Sequence, residues 1–185
     1  MRWDALFSDL AARTEALQRA ELSFELVERA RIEAGALLLR DRLAAADGQH
    51  VRIRCRAGVS LTGRLAHVGV DWALIDDGGG REAIVPIGAV IAVSGLGRHA
   101  RSAAPARSVA ERLGLRHALR GVARDRSPVR VNLIDGDAVA GTVDRVGSDF
   151  IELAVHAVGE VRRRSEVLDV LVVSHAALVA VRRDA

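Results

Sequence analysis

Four arginines, Arg112, Arg116, Arg120 and Arg124, recur every four residues, and that spacing is the strongest chemical pattern in the chain. On a helix of 3.6 residues per turn they lie along one side, drifting about 40° per step. Like charges placed in this way cost roughly 0.2 to 0.5 kcal/mol per pair unless anions neutralise them. Nine arginines but only two acids, Glu111 and Asp125, lie from Arg98 to Arg130, so the neutralising charge comes from elsewhere in the chain or from a ligand. Two readings follow. One is a solvated face paired with the acidic loop residues Asp76, Asp77 and Glu82. The other is a phosphate-contacting surface, to which Arg52, Arg54, Arg56 and Arg130 on outward strand faces add. A second basic run, Arg162 to Arg164, reads as a solvated edge that discourages strand aggregation, or as further groove contacts.

Other chemistry has less to stand on. The six histidines are scattered without metal-ligand spacing, and a single cysteine rules out a paired-thiol zinc site. No nucleophile sits with a local base, no carboxylates form a recognisable pair, and no dinucleotide fingerprint appears. Gly78-Gly79-Gly80 lacks the lysine and following helix of a phosphate loop and reads as a flexible hairpin. The expectation is a protein that is not an enzyme, with no catalytic residues, no metal and no cofactor. Two tryptophans, three phenylalanines and no tyrosine argue against base stacking as the main mode of capture. Trp72 and Phe150 are the exceptions, as core residues or as base platforms.

Composition sets the frame. The chain has 185 residues, half of them apolar, which suffices for a core in one or two domains. Its net charge is only +3, so electrostatic argument rests on where the arginines sit. All 27 basic residues are arginine. Cys55 has no disulfide partner, which fits a reducing cytoplasm. The opening residues MRWDALFSDL carry acids where a signal peptide has an apolar run, and the tract from Val167 to Val181 is too short and too interrupted to span a membrane. A soluble, cytoplasmic protein without a membrane partner is expected.

The elements that position these residues come from a duplication. The stretch VRIRCRAGVSLTGRLAHVGVDWALI, from Val51 to Ile75, returns without gaps from Val129 to Leu153 as VRVNLIDGDAVAGTVDRVGSDFIEL, with seven of 25 pairs identical. Val51, Ile53 and Cys55 alternate with arginines, the period of a half-buried strand. Ala57-Gly58 and Asp135-Gly136 occupy hairpin positions. Gly63 and Gly141 interrupt the second strand, where a bend or bulge would require them. Gly69-Val70-Asp71 and Gly147-Ser148-Asp149 turn the chain into a third strand. Two final short strands flank a brief turn in each copy, at Pro86 to Val90 and at Ser174 to Leu178.

These features resemble the Sm-like (LSm) superfamily over residues 50 to 94 and 128 to 182. The resemblance implies, in each copy, a bent five-stranded barrel preceded by a helix, with rings formed by strand addition and RNA favoured over DNA as a partner. Sm-like proteins usually carry an asparagine after the loop aspartate and an Arg-Gly pair in the second motif. Here the sequence reads Asp71-Trp72-Ala73-Leu74 and Asp149-Phe150-Ile151-Glu152, then Val93-Ser94-Gly95 and Val181-Arg182-Arg183. The whole chain also resembles actinobacterial proteins sometimes labelled Fis-family transcriptional regulators.

The sequence thus predicts an α+β chain: a helical arm over 1–47, a first Sm-like (SH3-like) five-stranded β-barrel over 48–96, a linker over 97–106, and an arginine-rich helix with a second barrel over 107–185. In the arm, Trp3, Leu6, Phe7, Leu10, Leu17, Leu22, Leu26, Val27, Ala30, Leu37 and Leu38 recur at helical spacing. That stripe is either a satellite core or a surface for a homo-oligomer or protein partner. Asp47-Gly48 ends the arm, and Ser108 is placed to cap a helix over about 109 to 124.

Overall fold

A computed structural model describes residues 13, 19, 22, 24, 25, 28, 29, 31, 32, 34–97, 112–156 and 168–183. The chain divides into two compact units, Met1–Leu38 and Leu39–Ala185. In the first unit the described residues from Arg13 to Gly35 are helical. Of the predicted apolar stripe, only Leu22, Leu37 and Leu38 fall among the described residues, and Leu22 and Leu38 are exposed. The predicted linker, apart from Gly97, and the Ser108 cap also lie outside the described residues.

In the second unit, helix α1 (Leu39–Ala45) leads into strands β1 (His50–Cys55), β2 (Ser60–Val68), β3 (Trp72–Asp76), β4 (Glu82–Pro86) and β5 (Val90–Ser94). Helix α2 (Leu115–Asp125) precedes β6 (Pro128–Leu133), β7 (Ala138–Val146), β8 (Phe150–Val155), β9 (Asp169–Ser174) and β10 (Leu178–Arg183). The strands β1 and β2 recur as β6 and β7 with a displacement of 78 residues, the offset of the sequence repeat. A register shift at Ala66 in β2 recurs at Asp144 in β7.

The mid-strand glycines have a different cause from the one their position suggests. The bulges lie three residues beyond Gly63 and Gly141, and the glycines themselves mark a close approach of two backbones. A Cβ on Gly63 would stand 2.4 Å from the Asp76 carbonyl oxygen, and one on Gly141 would stand 2.4 Å from that of Ala154. No side chain fits there without moving a strand.

The predicted pair of closed five-stranded barrels behind a helical arm is not what forms. Among the described residues ten strands make one open antiparallel sheet in the order β5-β1-β2-β3-β4-β10-β6-β7-β8-β9. The two copies join where β4 meets β10, with Val181 opposite Ile84 and Arg182 opposite Ala83. Of the segment 1–47, only α1 enters this unit as a helix, burying Leu43. The physical reason lies in β10. Its first four residues, Leu178 to Val181, are all apolar and all buried, so the strand needs cover on both faces. Lying between β4 and β6 supplies it: Val179 and Ala180 enter the first core with Leu43, Ile53, Leu65 and Ile75, while Leu178 and Val181 enter the second with Leu119, Val131, Ile151 and Leu153.

Candidate nucleic-acid interface

Helix α2 is fixed from below and from its front end. Leu115 and Leu119 are buried, with Ala118, Val122 and Ala123 packed beside them against the second core. Its N-cap is Gly114, which has no side chain to offer the exposed N–H groups of the first turn. The cap comes instead from the first repeat: the Asp71 Oδ1 accepts the Leu115 N–H at 2.6 Å. A carboxylate there satisfies an orphan donor and meets the positive end of the helix dipole. The residue ahead of the cap is held as well, because the Leu113 carbonyl accepts both the Trp72 Nε1–H at 2.9 Å and the Val70 N–H at 3.2 Å. At the far end Arg126 adopts a left-handed conformation and returns its N–H to the Val122 carbonyl at 3.1 Å. Arg183 of β10 reaches Asp125 at 3.4 Å.

With that face buried, Arg116, Arg120 and Arg124 point outward and are exposed, and Arg112 is exposed just ahead of the helix. Of the predicted helix over 109 to 124, residues 109–111 lie outside the described residues, Leu113 and Gly114 are not helical, and α2 begins at Leu115 with Arg112 ahead of it. Two of the three acids offered as rival partners, Asp76 and Asp77, are otherwise engaged. Asp76 pairs with Arg64 at 3.1 Å, and Asp77 pairs with Arg81 at 3.1 Å. The Asp76 carboxyl is held below the usual aspartate range, first by the Gly78 N–H and then by the Arg64 guanidinium. Among the described residues no carboxylate forms an ion pair with Arg112, Arg116, Arg120 or Arg124.

The other residues singled out by the sequence are scattered by the fold. Arg52 and Arg54 are exposed on β1, and the Arg52 Nε–H donates to the Thr62 hydroxyl at 3.3 Å. Arg56 is exposed in the turn after β1. Arg130 is half-buried on β6 opposite Arg182 and is engaged in an interaction of its own. Arg162, Arg163 and Arg164 lie outside the described residues.

Trp72 offers no platform for a base. It is 7% exposed, its Nε1–H is donated to Leu113, and its ring lies against Gly69, where a Cβ would come within 2.0 Å of it. Phe150 lies in the same way against Gly147, half-buried. Each aromatic is matched to the glycine three residues before it, a pairing that the sequence shows twice but does not explain.

A cleft of about 190 Å³ opens at the seam between β4, α2 and β10. It is lined by Leu74, Ile84 and Val122 together with Glu82, Asp125 and Arg183, and the one guanidinium there is already paired with Asp125, which makes the cleft unsuited to a phosphate. Among the described residues no three histidine, cysteine or acidic side chains cluster to hold a metal ion. The buried His156 ring shares a hydrogen bond of 2.9 Å with the Thr142 hydroxyl. Among the described residues no helix is long and apolar enough to cross a membrane. No protein-family model and no curated protein matches this chain.

Proposed function

We propose that this protein binds nucleic acid without catalysing a reaction, contacting the phosphate backbone through Arg112, Arg116, Arg120 and Arg124. The supporting observation is the exposure of these four guanidinium groups with no carboxylate in an ion pair to them among the described residues. A helix whose like charges are left unneutralised gains whenever a polyanion approaches. The Asp71 cap and the Leu113 anchors stiffen the front of that helix, so less order is lost on binding. Arg52 and Arg54, also exposed, supply further basic side chains on β1. RNA is favoured over DNA because the strand motif resembles Sm-like proteins. A cytoplasmic location goes with this reading, in keeping with an unpaired Cys55.

The test is fluorescence anisotropy with labelled single-stranded RNA and with duplex DNA, in titrations of salt. The logarithm of affinity should fall against that of salt with a slope of about 0.7 per phosphate neutralised on a single strand, or about 0.9 on duplex DNA. Glutamine at all four arginines should remove binding, and a single Arg120→Gln should lower the slope by about one phosphate equivalent. Absence of binding to both probes at low salt, or a quadruple variant that binds unchanged, refutes the proposal.

A further inference from the structure

The cleft of about 190 Å³ between β4, α2 and β10 belongs to neither copy alone. Leu74 pairs with Ile84, and Ile84 with Val181, so these three residues stand in one row across β3, β4 and β10. The row draws on both copies and, with Val122 of α2, gives the cleft its apolar lining. A concave apolar surface with a few polar groups set around it is the usual form of a small-molecule site.

The charges decide what fits. One step further along the register that sets Val181 opposite Ile84 and Arg182 opposite Ala83, Arg183 comes beside Glu82. Arg183 nevertheless pairs with Asp125, at 3.4 Å, and the Ser127 hydroxyl donates to the same Asp125 oxygen at 2.5 Å. Among the described residues the Glu82 carboxylate has no hydrogen-bond or ion-pair partner. Two carboxylates and one guanidinium leave the cleft negative in a chain whose net charge is +3. An apolar lining with one uncompensated carboxylate matches a cation carried on an apolar body.

Gly121 points the same way for a separate reason. It lies in the middle of α2, where glycine weakens a helix relative to alanine. No packing demands it, since a Cβ there would meet no atom within 4 Å. Gly121 lines the cleft, and the missing side chain leaves that space open.

We propose that this cleft binds a small monoamine, with its primary ammonium at Glu82 and its hydrocarbon body against Leu74, Ile84 and Val181. An apolar cavity of about 150 Å³ holds benzene, so about 190 Å³ suits a body of roughly six carbons with the ammonium attached. The residues of α2 that line the cleft are Gly121, Val122 and Asp125, none of them among its arginines. The site is therefore separate from the arginine surface and does not depend on nucleic acid.

The experiment follows amide NMR signals of the isotope-labelled full chain during titration with hexylammonium, hexanol and hexanoate, which share one chain length and differ in charge. Hexylammonium should shift the signals of Gly121, Val122 and Val181 to saturation, about tenfold more tightly than hexanol, and hexanoate should leave them in place. Glu82→Gln keeps the shape and removes the charge, and should bring hexylammonium down to the affinity of hexanol. Gly121→Leu puts a side chain into the open space and should abolish binding of both, with Tm unchanged or raised. That Tm separates a filled cleft from a lost fold, and both substituted positions are exposed. Cleft signals that ignore hexylammonium, hexanol or hexanoate that binds there as tightly, or either variant that binds hexylammonium unchanged overturns the proposal.

Discussion

Between about pH 9 and 11 only one side chain of this protein titrates, because the sequence has no lysine and no tyrosine and arginine stays charged. That side chain is Cys55. It faces the first core from β1, is 2% exposed, and burial pushes its thiol from an ordinary 9.0 up to about 11. The unfolded chain gives up this proton near the lower value and the folded chain near the higher. Across that window the unfolded state binds fewer protons, so stability falls as pH rises. The contribution is fully present below about pH 9 and gone above about 11. Two units correspond to an upper bound of about 2.7 kcal/mol, and relaxation around the thiolate brings the expected loss to the order of 1 to 2 kcal/mol. Urea unfolding followed by tryptophan fluorescence at a series of alkaline pH values measures it. Cys55→Ala should be less stable by about 1 kcal/mol below pH 9 for the space it leaves, but level across the same window, so that it equals or exceeds the wild type by about pH 11. A wild-type curve that is flat there, or an alanine variant that declines equally, refutes the reasoning.

The remaining expectations concern the repeat. Gly63→Ala and Gly141→Ala should each cost about 2 to 4 kcal/mol in urea unfolding, since the new methyl meets a neighbouring carbonyl, whereas Gly121→Ala in the open middle of α2 should add about 0.5 to 1 kcal/mol. Asp71→Ala should cost about 1 kcal/mol through the lost helix cap. The aligned Asp149→Ala should cost less than about 0.5 kcal/mol in the monomer, because among the described residues its carboxylate takes only the Ser148 hydroxyl.

Much of each copy was legible because it is local. Alternation along β1, the turns at Gly58 and Gly136, and the paired turns at Asp71 and Asp149 follow from short-range pattern and backbone chemistry. What escaped depends on contacts between copies. Nothing in the residues of β10 says which strand will lie on its far side; four apolar residues in a row say only that both faces need cover. The two-barrel expectation failed at that point. The start of α2 was misplaced for a related reason. Its cap is 44 residues away in sequence, on Asp71, and a residue at that distance leaves no trace near Leu115. The alignment of Asp71 with Asp149 did signal a role for the loop but not its recipient. Of the candidate site, the outward arginines of α2 were readable from spacing, whereas Trp72 was placed as a choice between core and surface that only its bond to Leu113 decides.

The seam also governs the order in which this protein can acquire its shape. Ile84 and Val181, opposite one another across it, are 97 residues apart along the chain. Loop closure over that distance is slow compared with hairpin formation, so the meander from β1 to β4 should assemble while β10 is still unmade. During synthesis the apolar flank of β4 then waits, uncovered, for the last strand. Refolding should accordingly show a fast phase for the hairpins and a slower, aggregation-sensitive phase in which the two halves become one sheet.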